Sequence, residues 1–119
     1  AYDEVYSVTA VDNQDVKATF ASFGETVDIS APGVDIISPI PGTFGAGKYA
    51  VASGSSMATP FVSSAIALNH ARWNGLLSPR EAAAGVTGAA TNIDAANPLL
   101  SSMLGSGRVD FERPLWIAW

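Results

Sequence analysis

The chain contains no cysteine and only one histidine, His70, among its 119 residues. Without cysteine it has neither a disulfide framework nor a thiol site. Positive charge is also scarce, because six Lys and Arg stand against eleven Asp and Glu, for a formal net charge of −5. No basic stripe is present, so nucleic acid is not an expected partner. No apolar run reaches the roughly 18 residues that a membrane-spanning helix needs.

What remains is the composition of a globular α/β protein. Hydrophobic residues make up 48% of the sequence, well above the range of disordered chains. Apolar runs at Tyr6–Val11 and Val34–Ile37 are strand-like, and alanine-rich helical segments follow them. The length fits one domain, residues 1–119, with a parallel β-sheet between helices. Because a parallel sheet needs both faces covered, a chain with half the strands would leave an edge and a core face exposed.

The pattern along the chain predicts two helices and several short strands. The first helix, Thr59–Arg72, tolerates Pro60 in its first turn, where a backbone N–H has no helical partner, and Asn74-Gly75 ends it. The second helix follows Ser78, whose spacing to Glu81 is that of a capping box, and runs to about Val86. Pro39–Lys48 is predicted as a loop, and Trp116 and Trp119 as an aromatic tail that would need a partner surface. The predicted extended segments are Tyr6–Val11, Val16–Phe20, Val27–Ser30, Val34–Ser38, Tyr49–Ser53 and Gly107–Phe111.

The stretch Gly54-Ser55-Ser56-Met57-Ala58-Thr59-Pro60 is the most informative part of the sequence. It leads from a turn of small residues directly into the first predicted helix. A serine at that junction has its Oγ on an exposed turn and its backbone N–H at the positive end of a helix, where anions are stabilised. Acyl transfer needs both a nucleophile and a donor for the oxyanion. A structural N-cap serine is the alternative interpretation of Ser56.

This stretch resembles the nucleophile motif G-T-S-M-A-x-P of the subtilisin-like serine proteases, with Ser56 as the nucleophile and Ser55 in place of threonine. The sedolisins share a G-T-S motif, but Met57 and the residues after it favour the subtilisin-like family. An esterase G-x-S-x-G elbow is disfavoured, because no glycine stands two residues after Ser56. Other segments resemble the family in order and approximate spacing: Val8–Asp12, Phe20–Gly24, Val27–Ile36 and Gly105–Asp110.

The sequence departs from the family in two ways. Phe61 stands where the family usually has histidine, which implies a change of packing rather than a loss of chemistry. The family's catalytic Asp and His and its oxyanion-hole Asn precede the serine, and nothing before Ser56 resembles their motifs. The resemblance therefore implies that residues 1–119 are the C-terminal part of a catalytic domain. An N-terminal part would supply those three residues.

His70 is not a substitute for the missing base. It follows Ser56 by 14 positions, and along a helix that separation is about 21 Å at ~1.5 Å per residue. A general base must come within roughly 3 Å of the proton that it takes. A structural or surface role is expected for His70, and the chain alone is expected to be inactive.

The resemblance also implies roles for the neighbours of Ser56. The backbone N–H of Ser56 would be one oxyanion donor. Ser55 would direct its hydroxyl toward the oxyanion or would only support the turn. Gly54 would allow close approach of the backbone, and Met57 would pack behind the serine. Ser53 would line the leaving-group side of the cleft.

Asp28 is a further candidate, for a metal site. In relatives a weak calcium or monovalent-cation site lies near the equivalent aspartate, with carbonyl oxygens from the segment that corresponds to Tyr2 and Val5, and hard cations bind such oxygens. A turn aspartate that caps an amide or forms a salt bridge is the alternative. The reaction itself requires no cofactor.

The resemblance implies a serine endopeptidase that hydrolyses polypeptides through an acyl-enzyme on Ser56. It also implies that the enzyme is secreted, or lies in the periplasm or at the cell surface. The competing hypothesis is a non-catalytic subtilisin-like fragment, or a module that binds peptides or partner chains. The serine at the nucleophile position argues against degeneracy of this segment. The sequence does not indicate which residue is preferred at the cleavage site.

Overall fold

The computed structural model describes residues 3–42 and 47–113. It contains four short strands followed by two helices, and a parallel pair of strands packs against the longer helix, which confirms the predicted α/β class. In chain order the elements are β1 (Val8–Val11), β2 (Ile29–Pro32), β3 (Ile36–Pro39), β4 (Tyr49–Ala52), α1 (Ser55–Arg72) and α2 (Pro79–Gly88), and then two single 3-10 turns, Asp94–Ala96 and Pro98–Leu100.

β1 and β2 form a parallel pair in which Val8 lies opposite Ile29 and Val11 opposite Pro32. Since successive side chains alternate between the two faces of a sheet, each strand contributes to both sides. Ile29 shares a buried cluster with Val62 of α1. Val11 packs in a second cluster with Leu104. The pair is therefore covered by α1 on one face and by the segment after α2 on the other.

β3 and β4 form a separate antiparallel hairpin, with Ile37 opposite Val51. The predicted parallel arrangement therefore holds for β1 and β2 alone among the described strands. The loop from 40 to 48 explains the difference. Parallel neighbours need a crossover of a dozen or more residues, whereas a shorter loop returns the chain antiparallel.

The first three strands each begin two residues later than predicted. At the entrance to β1 and β2, the Ser7 N–H donates to Asp28 Oδ2 at 2.7 Å, and the Asp28 N–H donates to Ser7 O at 2.9 Å. A side-chain contact thus precedes the regular ladder. Before β3, Asp35 has a φ of 53°, in the left-handed region that a strand does not use. β4 begins at Tyr49 as predicted and ends at Ala52, one residue early.

The prediction of a strand at Val16–Phe20 is wrong. Lys17 forms only an isolated bridge to Val11, and the chain then turns. The Lys17 ammonium donates to the carbonyl oxygens of Ala18 at 2.6 Å and Ala21 at 2.8 Å. These bonds hold the segment in a turn along the edge of β1, where the Ala18 N–H donates to Ala10 O and Ala18 is buried.

Both predicted helices are present, but α1 begins earlier and α2 ends later than predicted. α1 begins at Ser55, four residues before the predicted start, so Pro60 lies inside the helix rather than in its first turn. α2 begins after Ser78 with the predicted capping box and extends to Gly88. The predicted extended segment near the end is reduced to Arg108, which bridges Ser30 and Thr91. The tail residues Trp116 and Trp119 lie outside the described residues. Within the described ranges, no helix is long and apolar enough to span a membrane.

Candidate active site

Ser56 is the second residue of α1, and it is exposed. The sequence predicted it on a turn before the helix, so the structure corrects its setting: Gly54 is the helix N-cap and Ser56 lies in the first turn. The Met57 N–H donates to Gly54 O at 2.9 Å, which closes this turn. In the described part of the chain no hydrogen bond occupies the Ser56 N–H. It is thus one of the donors that a helix leaves open at its positive end.

Gly33 holds this turn in place. The Gly54 N–H donates to Gly33 O at 2.8 Å, and the Gly33 N–H donates to Val11 O at 3.0 Å. A Cβ on Gly33 would lie 2.6 Å from Ala10 Cβ and 2.8 Å from Gly54 O. Only glycine therefore fits where the end of β2 meets the start of α1. Sequence reasoning placed this glycine in a family segment but missed its role. The available signal was the Pro32-Gly33 pair just after a predicted strand.

Ser53 lies just before the turn and supports it from the other side. Its Oγ accepts the backbone N–H of Asp35 at 2.9 Å. This bond ties the end of β4 to the turn that connects β2 and β3. Ser53 is exposed, and its role on the leaving-group side stays a prediction.

Ser55 and Met57 flank the nucleophile position inside α1, and both are half-buried. The carbonyl oxygen of Ser55 accepts the Thr59 hydroxyl at 2.9 Å. Met57 lines a cavity of about 340 Å³ between α1 and β3, whose other lining residues include Ile36, Ile37, Pro60 and Phe61. Their catalytic roles stay predictions.

Phe61 is one turn further along α1 and makes the packing contact that its apolar character implies. Its ring meets that of Phe111 edge to face, with centroids 6.4 Å apart and planes at 80°. Such a T-shaped pair is a favoured aromatic geometry. The residue that replaces the family histidine therefore anchors the segment after Arg108 onto α1.

His70 lies on the same continuous helix as Ser56, in its last turn. The helical rise separates the two residues by about 21 Å. The structure thus confirms that the one histidine of the sequence does not approach Ser56 within this chain. The His70 ring instead lies beside Gly75, where a Cβ would be 3.4 Å from Nε2.

Asp28 is placed away from Ser56, at the entrance to the parallel pair. One of its carboxylate oxygens accepts the Ser7 N–H, which is the amide-capping alternative. A cavity of about 470 Å³ beside it is lined by Asp3, Glu25 and Arg80 among others. Tyr2, one expected carbonyl donor, lies outside the described residues. Among the described residues no three His, Cys, Asp or Glu side chains form a group that could hold a metal ion. The predicted site depends on backbone carbonyl oxygens as well, and it stays a prediction.

A parallel β-pair, a turn held by Gly33 and an exposed serine in the first turn of an 18-residue helix meet at one place. The fold and this site define an α/β protein with a serine at the N-terminal end of its longest helix. The model of the subtilase family matches residues 1–107. The chain belongs to the subtilase family.

Known relatives agree with this assignment. The thermophilic serine proteinase of Bacillus sp. (strain AK1) is 47% identical over 68 residues, which are 57% of this chain and 16% of the relative. The intracellular serine protease of Paenibacillus polymyxa is 48% identical over 67 residues, 56% of this chain and 19% of the relative. The chain thus matches less than a fifth of the length of these relatives. The structure of the patellamide maturation protease PatA aligns with a TM-score of 0.79 and 28% identity, over 95% of this chain and 42% of that one.

Proposed function

We propose that this chain carries the nucleophile of a subtilisin-like serine endopeptidase. The observation that carries the proposal is the setting of Ser56, whose side chain is exposed in the first turn of α1 and whose N–H has no acceptor among the described residues. A nucleophile and an oxyanion donor thus belong to one residue. The relatives named above are serine proteases by name, and their reaction comes to this chain as part of the proposal.

In the proposed reaction Ser56 Oγ attacks the carbonyl carbon of a peptide bond. Its proton passes to a histidine, which an aspartate orients, and then to the leaving amine. The oxyanion is held by the Ser56 N–H and by an asparagine amide. The amine departs, an acyl-enzyme remains on Ser56, and water hydrolyses it. The histidine, aspartate and asparagine come from polypeptide that precedes this sequence in the complete domain.

The N-terminal part of the domain is, in this proposal, a second polypeptide surface that packs against this chain.

The outer edge of β1 is where such a partner would add to the sheet. β1 pairs with β2 on one side. On the other side, among the described residues, it meets only the turn at 16–18, where the Ala18 N–H donates to Ala10 O at 3.0 Å. The edge at Val8 has no neighbouring strand there. An open edge beside the buried Ala10 favours pairing with a further strand.

The alternative is a non-catalytic subtilisin-like fragment, or a module that binds peptides or partner chains. The position of His70 favours it for the chain in isolation, because the sequence contains no other histidine. The two hypotheses differ in whether Ser56 becomes reactive when the rest of the domain is supplied.

Labelling with a fluorophosphonate separates them, with Ser56→Ala and Ser55→Ala as matched variants. The chain alone should label slowly and should not turn over a peptide ester, because an unassisted serine hydroxyl is a weak nucleophile. When the N-terminal part of a subtilase domain is added and docks, labelling should accelerate and map to Ser56 by mass spectrometry. Ser56→Ala should abolish the label, while Ser55→Ala should retain it.

Equal labelling rates with and without the added part would refute the proposed activation. Turnover by the chain alone that disappears in Ser56→Ala would refute the requirement for a partner. A docked complex in which Ser56 stays unreactive would favour the binding module.

We extend the proposal to the setting of the enzyme, on the family resemblance alone. The enzyme acts outside the cell, and a structural calcium or monovalent cation binds near Asp28. One relative is named an intracellular protease, so detection of the full-length protein in culture medium or in cell lysate is the test of the first statement. Calorimetric titration of the full-length protein with calcium and with sodium, against Asp28→Asn, tests the second.

A further inference from the structure

The end of α1 is a reactive sequence held in a protected conformation. Asn74 follows the helix with a φ of 52°, and Gly75 has a φ of 72°. The Asn74 N–H donates to Ala71 O and the Gly75 N–H to His70 O, each at 3.0 Å. This pair of bonds is a Schellman motif, which caps the last carbonyls of a helix, and asparagine is one of the residues that adopt its left-handed position.

Asn74 differs from every other asparagine of the chain by the residue after it. The sequence has five asparagines, and only Asn74 precedes a glycine; the others, Asn13, Asn69, Asn92 and Asn97, precede Gln, His, Ile and Pro. A glycine lacks the Cβ that would shield its own backbone nitrogen. That nitrogen is the atom that can attack the preceding amide side chain.

We propose that Asn74 is a site of spontaneous deamidation, and that the end of α1 controls its rate. The Gly75 nitrogen loses its proton and attacks Asn74 Cγ; a C–N bond forms to the backbone, the bond to the amide nitrogen breaks, and ammonia leaves. Water then opens the resulting succinimide at either carbonyl. The products are aspartate and isoaspartate, and the reaction needs no reagent besides water and a base.

The Schellman motif sets the rate because it engages the attacking atom. While the Gly75 N–H donates to His70 O, its proton is engaged and the nitrogen is fixed at the helix end. Reaction therefore proceeds from molecules in which the last turn has frayed. Helix ends open locally at a lower free energy than the whole fold.

The product weakens the structure from which it forms. A carboxylate at the C-terminal end of α1 is unfavourable with the helix dipole. Isoaspartate also lengthens the main chain between the two N–H groups of the motif. Ser56 lies at the opposite end of the helix. The reaction therefore affects the packing of α1 against α2 before it affects the candidate active site.

The test is a time course of the intact chain at mildly alkaline pH, followed by tryptic mapping. Cleavage after Arg72 and Arg80 isolates the peptide from 73 to 80. Mass spectrometry detects the replaced amide, and chromatography separates the isoaspartyl form. The exposed Asn13 and Asn92 are controls in the same molecule. The free peptide of residues 73–80 is the control for protection by the fold.

We expect product at Asn74 several-fold faster than at Asn13 or Asn92, and several-fold slower than in the free peptide. Urea at a concentration below the unfolding midpoint should bring the rate at Asn74 in the chain closer to the rate in the free peptide. Equal rates at the three asparagines would overturn Asn74 as the site. A folded chain that reacts as fast as the free peptide would overturn control by the helix end.

Discussion

Gly33 is the residue on which the position of Ser56 depends most directly. Its carbonyl oxygen accepts the Gly54 N–H, and its own N–H donates to Val11 O. One residue thus joins β1, the end of β2 and the start of α1. The contacts that leave no space for a side chain are with another backbone and with a buried Cβ, neither of which can rotate away.

Gly33→Ala should therefore destabilise the chain by about 1–3 kcal/mol, the usual cost of overpacking. Gly42→Ala is the matched control, since a Cβ there meets nothing within 4 Å. Urea unfolding monitored by circular dichroism measures both variants. Equal midpoints for the two variants would show that the end of β2 adjusts freely, and that the close contacts of Gly33 with Ala10 and Gly54 do not limit the side chain at this position.

Asn97 is a second residue with a large structural role. It is 5% exposed, its Oδ1 accepts the Lys17 N–H at 2.8 Å, and its Nδ2 donates to the carbonyl oxygens of Asp15 and Ile93 at 2.7 and 3.0 Å. The amide thus fixes the turn before Lys17 to the segment after α2. No sequence pattern indicated this, because Lys17 and Asp15 lie 80 and 82 positions before Asn97.

Asn97→Ala should cost about 1–3 kcal/mol, because it leaves buried backbone groups without partners. Asn13→Ala removes the same side chain from an exposed position and should change stability little. Thermal or urea unfolding compares the two. Similar losses in both variants would mean that the burial of Asn97 contributes nothing specific.

At the scale of elements, α2 is the part that the sequence predicted best. Ser78 Oγ accepts the Glu81 N–H at 3.2 Å, and Glu81 Oε2 accepts the Ser78 N–H at 2.7 Å. The bond from the Ser78 N–H to the Glu81 carboxylate lowers the pKa of Glu81 most, the Ser78 hydroxyl lowers it next, and desolvation opposes both. Since all of these partners lie within four residues, local sequence was sufficient to predict them.

Ser78→Ala should lower the free energy of unfolding by about 1 kcal/mol, whereas Ser63→Ala in the exposed middle of α1 should leave it unchanged.

Because the pKa of Glu81 is lowered in the folded chain, its charge stabilises α2 at pH values above the ordinary glutamate pKa of 4.5. This contribution is lost as the pH falls through the folded pKa. Glu81→Gln keeps the box geometry and removes the charge. The difference in urea midpoint from the parent chain should be present at neutral pH and should vanish on acidification; a difference that persists would contradict the assignment.

The other elements show where local sequence stops being sufficient. The nucleophile segment was located correctly, but α1 begins four residues earlier than predicted because the Gly54 carbonyl accepts the Met57 and Ala58 N–H groups. The segment at Val16–Phe20 has an alternating pattern and still curls, because Lys17 binds two carbonyls across the turn. Both segments are also held by distant partners, because the Gly54 N–H donates to Gly33 O and the Lys17 N–H donates to Asn97 Oδ1. Local sequence does not show these contacts.

At the scale of the whole molecule, the described residues form an incomplete sheet, because β1 pairs with β2 on one side and meets no further described strand on the other. The sequence predicted an incomplete sheet from the number of strands. It did not predict the antiparallel hairpin, whose face carries Ile37, Tyr49 and Val51 with exposures of 70%, 68% and 61%.

This hairpin face should make the isolated chain self-associate. Ile37 and Val51 are opposite each other, so they form one continuous apolar surface with Tyr49, and such surfaces promote association. Light scattering at micromolar concentration should show species larger than a monomer. Ile37→Thr combined with Val51→Thr should shift the population toward monomer, because threonine keeps strand propensity and removes apolar area.

Leu99→Ser is the control, as Leu99 is 91% exposed in the second 3-10 turn. A stable monomer of the parent chain with cooperative unfolding would contradict the prediction. An equal effect of Leu99→Ser would show that the hairpin face is not the contact.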